Sequence, residues 1–191
     1  MIDGHIGNLA RALRTNNSER AAFEAAWMAH AITDGLTPAH HFPLEQAMAE
    51  LRGGEGLETR TSILKKNLMK GENGIELIKN NWKFWGAKGM MTTHVAFEAG
   101  VASVVSYPRF KDAIPSDDEI SQVKNHGYRE YYLDQVHAVA SMKMYDNFSK
   151  SGWTTDLAWQ TNHELMPIII KSVMLGWLAS IWKLEAEKSE S

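Results

Sequence analysis

The sequence predicts an all-helical protein, a single multi-helix bundle over residues 1–191. Apolar residues recur at helical spacing along most of the chain, whereas the alternation typical of β-strands is almost absent. Turns rich in glycine or proline separate the helical stretches, and residues 71–74 form the clearest of them. A chain of 191 residues with 44% hydrophobic residues is long enough for one domain with its own core.

Start and stop signals place the helices of the first half of the chain. Ser18 is expected to cap the second helix, which ends near Gly35 because Pro38 cannot continue it. The helices are expected over Ile6–Arg14, from Ser18 to near Gly35, over Leu44–Leu51, in a stretch that ends before Gly71, and from the 71–74 turn to about Ser106 with a division near Gly86 and Gly89.

The second half of the chain is expected to hold two long helices. Pro108 and Pro115 mark a loop, after which Ser116 and Glu119 form a capping box that opens a helix reaching about Asn147. The last helix begins near Thr154 or Thr155, with a kink at Pro167. Its most apolar stretch, Leu165 to Trp182, contains that proline and Lys171, so a buried core helix is expected rather than a membrane span.

Composition limits the classes of function. The formal net charge of −3 gives no electrostatic reason to expect stable nucleic-acid binding. The chain has no cysteine, so any metal ion must be held by histidine, aspartate or glutamate. No basic segment followed by an apolar run opens the sequence, so no signal peptide is visible and the chain as given is expected to be soluble and cytoplasmic.

Four pairs of a histidine and an acidic residue lie four residues apart, a spacing that places both side chains on one helix face. The pairs are His30/Asp34, His41/Glu45, His94/Glu98 and His126/Glu130. Spacing alone does not select the metal ligands, because eight histidines among 23 acidic residues form such pairs by chance. We expect His126 and Glu130 to lie on a solvated face, and His41 to be a neighbour of the ligands.

The surroundings of the other two pairs favour a metal site. Pro38 stiffens the turn after the second helix, so that His40 can fold back towards the helix end. His94 and Glu98 lie in an apolar stretch, where burial of both is costly unless they bind each other or a metal ion. The candidate ligands, which must converge around a shared cation, are His30, Asp34, His40, His94 and Glu98. The alternative is a set of buried polar pairs or surface salt bridges.

The pattern His30-xxx-Asp34-xxx-Pro38-x-His40, followed by His94-xxx-Glu98, resembles the ligand signature of zinc-dependent phospholipase C and the related single-strand-specific zinc nucleases. The resemblance covers about Ala21 to Val101 and implies an all-helical fold with three zinc ions in a cleft. It implies that His30 helps to hold one ion and that Asp34 bridges two. It also implies that His40, His94 and Glu98 hold the remaining ion.

The sequence departs from this family before His30. The family also uses its N-terminal amino group and carbonyl, an early histidine, and a downstream aspartate and histidine, all earlier in the chain. Only 29 residues precede His30 here, and Asp3 and His5 among them match none of those positions. Three explanations are open. The chain is a fragment or has a late-assigned start, or it is a reduced domain with one or two ions, or a second protomer or another residue completes the site. The 53 residues between His40 and His94 also exceed the expected insert.

The function expected from these observations is zinc-dependent phosphodiester hydrolysis, phospholipase C-like or nuclease-like, with one to three zinc ions and a small phosphodiester or phospholipid as substrate. The alternative is a non-catalytic helical domain in which a metal ion holds helices together, and an oligomer is compatible with either. The segment Trp82-Lys83-Phe84-Trp85 is the best candidate for a lipid or base pocket near His94. The resembled family is mostly secreted, although no export signal is visible here.

Overall fold

The computed structural model describes residues 1–56, 58, 61–106, 110 and 113–189. Within these ranges the chain is all-helical and contains no β-strand, which confirms the predicted fold class. A 3₁₀ turn, Pro38–His41, follows the second helix, and a π-helical turn, Thr161–Leu165, lies inside the last long helix. The helices are α1 (Ile2–Arg14), α2 (Ser18–Gly35), α3 (Leu44–Leu51), α4 (Ile63–Asn67), α5 (Gly74–Trp85), α6 (Met90–Val105), α7 (Asp117–His126), α8 (Tyr128–Ser141), α9 (Met144–Ser151), α10 (Thr155–Gln160) and α11 (Met166–Ser189).

The first two helices form a hairpin that turns at Thr15–Asn17. Asn16 has a φ of +52°, a conformation that asparagine tolerates better than most residues. The side chain of Asn17 accepts a hydrogen bond from the backbone N–H of Arg20 at 2.9 Å and so caps α2. The predicted cap at Ser18 was therefore wrong by one residue, because Asn17 offers the acceptor and Ser18 is already helical.

A buried carboxylate joins the two helices of this hairpin. Glu24 is fully buried, and its carboxylate contacts Nδ1 of His5 at 2.5 Å and the guanidinium of Arg20. Burial by itself raises the pKa of Glu24, but the hydrogen bond from His5 and the charge of Arg20 outweigh it, so the pKa is lowered. No local pattern in the sequence links His5 with Glu24, because the two residues lie 19 positions apart on different helices.

Helix α11 packs against α1, α2 and α8 and supplies much of the core. Two long-range hydrogen bonds fix its position: Tyr128 Oη donates to the carbonyl of Ser172 at 2.8 Å, and Trp177 Nε1 donates to the carbonyl of Ala25 at 3.1 Å. The fully buried side chains around it come from distant parts of the sequence and include Met28, Ile32, Leu36, Phe97, Tyr131, Met144 and Leu175.

Among the described residues, one helical stretch, Thr155–Ala186, is long and apolar enough to cross a membrane by length and composition alone. A single stretch of this kind is weak support for a span, since the core helix of a folded domain has the same composition. Lys171 within it forms an ion pair with Glu119 at 3.1 Å, and the stretch packs against α1, α2, α6, α7, α8 and α9. These contacts agree with the expected core helix.

The capping box at Ser116 and Glu119 is present, but the single helix predicted from there to Asn147 was wrong. Three helices, α7 to α9, occupy this segment. Gly127 has a φ of +92°, which ends α7, and Lys143 lies in the left-handed region with a φ of +52°, which separates α8 from α9. The apolar spacing continues through both breaks, so periodicity alone did not reveal them.

Helix α1 begins at Ile2, four residues before the predicted Ile6, and the remaining boundaries follow the sequence closely. Helix α3 spans the predicted Leu44–Leu51, and the long pattern before Ser106 divides between Trp85 and Met90 at the expected glycines. The π-helical turn ends two residues before Pro167, which has no N–H to donate to a carbonyl of that preceding turn. Pro108, one of the two prolines that mark the predicted loop, lies outside the described residues.

The described residues between His40 and His94 fold into a lobe with its own small core. Met48, Met69 and Phe84 are buried together, separately from the main cluster. The side-chain amide of Asn81 exchanges two hydrogen bonds with the backbone of Met69, at 2.9 and 3.0 Å, and fixes α5 against the preceding segment. The long insert is therefore a separately packed lobe that leads directly into α6.

We predict that Glu24→Gln lowers the free energy of unfolding by about 1–3 kcal/mol at neutral pH, because a buried ion pair is replaced by an imperfectly paired amide. The folded pKa of Glu24 lies below its ordinary value of 4.5. The stabilisation is therefore fully present above the unfolded pKa and is lost as pH falls through the folded pKa. Urea unfolding at several pH values measures this, with the exposed Glu19→Gln as the control. An equal gap between wild type and Glu24→Gln at acidic and neutral pH would contradict it.

Candidate metal centre

The 3₁₀ turn after α2 brings His40 back to the end of that helix. The hydroxyl of Thr37 donates to the carbonyl of Thr33 at 2.8 Å, and the N–H of His40 donates to the carbonyl of Thr37 at 2.9 Å. Leu36, Pro38 and Ala39 are buried and anchor the turn on the core. The fold-back that Pro38 led us to expect is therefore present.

His40 and His41 cap the C-terminal end of α2 from two directions. His40 Nδ1 lies 3.1 Å from the carbonyl oxygen of Asp34, and His41 Nε2 lies 2.9 Å from that of Gly35. A carbonyl oxygen only accepts hydrogen bonds, so these two nitrogens carry the protons. The other ring nitrogen of His40, Nε2, is then the one left for a ligand.

Helix α6 presents His94 and Glu98 to this turn. Phe97, on the same helix, is fully buried and packs against the rings of Tyr145 and Trp153. Gly100 makes the contact with Trp153 possible, because a Cβ at this position would overlap the indole ring. The buried side of α6 is thus fixed by aromatic packing, and this fixes the direction in which His94 and Glu98 point.

His40, His94 and Glu98 meet in one group, although His40 is 54 positions from His94 and 58 from Glu98. Glu98 Oε1 lies 3.1 Å from Nε2 of His40 and 3.2 Å from Nε2 of His94. The two imidazole rings are nearly parallel, with centroids 5.4 Å apart. One ligand atom from each of the three residues lies within 4.8 Å of the others, a grouping that can hold a metal ion.

The group fits a divalent cation by distance and by chemistry. Tetrahedral zinc with ligands at about 2.0–2.1 Å separates neighbouring ligand atoms by about 3.3 Å, close to the two His–Glu distances here. A neutral His40 with its proton on Nδ1 places a bare lone pair opposite the Glu98 oxygen, and two acceptors at 3.1 Å need a proton or a cation between them. The same distances fit an ordinary imidazolium–carboxylate pair, the alternative that the sequence left open.

His30 and Asp34 form a separate pair beside this group. His30 Nε2 lies 3.2 Å from Asp34 Oδ2, and the nearest approach of the Asp34 carboxylate to His40 is 3.8 Å, at Nδ1. Glu98 faces the opposite nitrogen of that ring. The imidazole of His40 therefore stands between the two acids, and in this arrangement Asp34 does not share a cation with Glu98. The bridging role that the resemblance implies for Asp34 stays a prediction.

The electrostatic surroundings favour a cation. The group lies at the C-terminal end of α2, where the helix dipole is negative, and the last turn of α2 holds no basic residue. Burial raises the pKa of Tyr145, and the negative charge of Glu98 raises it further. Burial and then the charge of Asp34 raise the pKa of Tyr132 in the same way. Both phenols therefore stay neutral at physiological pH.

Two clefts give access to these residues, and His40 lines both. The larger, of about 860 Å³, contains the His30–Asp34 pair, with Arg129 and Tyr132 also in its walls. The smaller, of about 590 Å³, opens on His94. The side chain of His94 is only 12% exposed and that of Glu98 44%, so the group has one buried and one open side. The second ring nitrogen of His94, Nδ1, is buried and has no hydrogen-bond partner among the residues that the structure describes.

His126 and His163 lie on other helical segments than the three residues of this group. His126 and Glu130 are exposed, as expected for a solvated face, and His163 contacts the carbonyl of Trp159 at 2.9 Å within its own helix. Among the residues that the structure describes, the three-residue group is the one set of histidine and acidic side chains close enough to hold a metal ion. The tyrosines beside it were not foreseen, because no local pattern links Tyr132 or Tyr145 to the ligands.

No family model matches the chain, and comparisons with curated proteins and with solved structures give no match. The resemblance to the zinc phospholipases and nucleases therefore depends on the ligand pattern of His30 to Glu98 alone.

We predict that the protein binds one zinc ion at the three-residue group, and that His94→Ala abolishes this binding because it removes a buried ligand. His30→Ala should retain it, because His30 belongs to the neighbouring pair. Isothermal titration calorimetry with zinc chloride measures stoichiometry and affinity, and the exposed His126→Ala is the matched control. Binding that survives His94→Ala, or no binding by the wild type at alkaline pH, would leave an ion-pair cluster in place of a metal site.

We also predict that Gly100→Ala lowers the free energy of unfolding by about 1–3 kcal/mol, although alanine is the better helix former, because the added methyl group displaces Trp153. Gly4→Ala is the control, since a Cβ there meets no atom within 4 Å. Thermal unfolding of the two variants measures the difference. An unchanged or raised melting temperature for Gly100→Ala would show that the indole is free to move.

Proposed function

We propose that this protein is a zinc-dependent phosphodiester hydrolase of the phospholipase C or nuclease type, built on a reduced set of ligands. The observation that carries the proposal is the convergence of His40, His94 and Glu98, from two distant segments, into one group with an open side. Three protein ligands with a further position left open are typical of catalytic zinc, whereas structural zinc is closed by four.

Each residue of the group has its own role in the proposed hydrolysis. A divalent ion, when bound, lowers the pKa of water and neutralises negative charge on a phosphodiester. His40 and His94 would hold it through Nε2, and the carbonyl of Asp34 keeps the ring of His40 in the required orientation by accepting its Nδ1 proton. Glu98 would supply the one anionic ligand. Protons compete with the cation for the imidazoles, so activity is expected to fall as pH is lowered.

The larger cleft provides a place for the substrate. Trp27, Tyr132 and Leu133 give it apolar walls, and Arg129 adds a positive charge that suits an anionic phosphodiester. Asp34 and His30 lie on its floor beside His40. This combination favours a small phosphodiester with an apolar or aromatic substituent, which includes phospholipid and nucleotide esters.

We predict that the purified protein hydrolyses bis(p-nitrophenyl) phosphate when zinc is supplied, and that chelation with EDTA stops the reaction. His94→Ala should reduce kcat/KM by at least about a hundredfold, because it removes a ligand of the proposed ion. Release of p-nitrophenolate measures the rate, and His126→Ala should retain the wild-type rate. A protein that binds zinc but turns over no phosphodiester would exclude the hydrolase.

A second candidate follows from the same contacts. The ligands come from the turn after α2 and from α6, so one ion would link two segments that are otherwise joined through a separately packed lobe. In this case zinc would raise the melting temperature without supporting turnover, since anything that binds only the folded state stabilises it. One ion per chain and no activity favours the metal-stapled domain, turnover with one or more ions favours the hydrolase, and absence of binding excludes both.

A further inference from the structure

Helix α5 exposes an apolar face that no described element covers. Ile75, Ile78, Trp82 and Trp85 are 82%, 69%, 70% and 47% exposed. Their spacing of three, four and three residues places them within about 80° of one another around a helix of 3.6 residues per turn. Four large apolar side chains on one side of a twelve-residue helix form a contiguous stripe, which isolated exposed residues do not.

The opposite side of α5 is firmly attached, so the exposed face is not free to turn inward. Phe84 is fully buried in the lobe core. Asn80 donates to the carbonyl of Lys70 at 2.8 Å, and Asn81 is bonded to the backbone of Met69. The indole N–H of Trp85 donates to the carbonyl of Asn67 at 2.8 Å, which holds the end of the stripe in place.

Positive charge accompanies this face. Lys79 and Lys83 are exposed and follow one edge of the stripe, one helical turn apart. Residues 63–88 contain six lysines and two glutamates, whereas the whole chain has a formal net charge of −3. The segment that exposes these tryptophan and isoleucine side chains therefore carries a net positive charge.

We infer that α5 docks on an anionic lipid surface, with its tryptophan and isoleucine stripe in the headgroup boundary and Lys79 and Lys83 against the lipid charges. A helix with lysine on its polar side and bulky apolar residues with tryptophan on the other is the type that lies in a membrane interface. This inference uses none of the candidate metal ligands and goes beyond the proposed hydrolysis.

The charges favour this occupant over a second copy of the chain. In an antiparallel symmetric dimer through α5, Lys79 and Lys83 of both copies would lie along the same edge of the interface, which is repulsive. The central part of a protein interface is also generally poor in lysine. An anionic surface satisfies the apolar stripe and its basic edge together.

Vesicle co-sedimentation of the full chain tests this, with vesicles of about seven parts phosphatidylcholine to three parts phosphatidylserine against pure phosphatidylcholine. The wild type should bind the anionic vesicles, and it should bind them less at high salt. The double variant Lys79→Glu with Lys83→Glu should bind them at least about tenfold more weakly. Trp82→Ala should weaken binding about tenfold through lost apolar burial. Trp159→Ala and Lys150→Glu, exposed residues on other helices, should bind like the wild type.

Three results would overturn the inference. They are absence of wild-type binding to the anionic vesicles, equal losses in the α5 variants and the two controls, and equal binding to neutral vesicles. Light scattering in the absence of lipid provides a further check, because a dimer that Trp82→Ala converts to a monomer would show that a second copy covers the face. Circular dichroism of each variant establishes that it is folded before the comparison is made.

Discussion

The hydrogen bond from His40 Nδ1 to the carbonyl of Asp34 determines the character of the candidate site. It combines two weak features, a carbonyl at a helix end and a histidine in a tight turn, into one fixed orientation. The same bond decides which ring nitrogen faces Glu98, and therefore whether a cation fits between them. Without it the turn would present a histidine of either tautomer to the solvent.

Two kinds of packing hold the partners of His40 in place. The main core, built around α2 and α11, fixes the end of α2 and the turn that follows it. Aromatic packing of Phe97 against Tyr145 and Trp153 fixes α6. His94 and Glu98 are therefore held in place by residues that are not candidate metal ligands. The lobe between His40 and His94 has its own small core. Its helix α5 can therefore differ in surface character from the rest of the molecule.

Local chemistry made much of the fold predictable. The capping box at Ser116 and Glu119, the helix over Leu44–Leu51 and the fold-back after Pro38 all depend on neighbouring residues, and each is present. The prediction of a single helix from Ser116 to Asn147 was wrong. Gly127 and the left-handed Lys143 break the helical backbone, but the apolar residues keep their helical spacing through both breaks. The His5–Glu24 contact was missed because nothing within either segment refers to the other.

The sequence by itself determined the all-helical class, the types of side chain available to a cation, and five candidate residues in two segments. These properties depend on composition and on spacing within a helix or a turn. Tertiary structure alone decided that His40, His94 and Glu98 form one group while His30 and Asp34 form a neighbouring pair. That division depends on which side of one imidazole ring each acid approaches, and only the packing of α6 against the turn after α2 sets it.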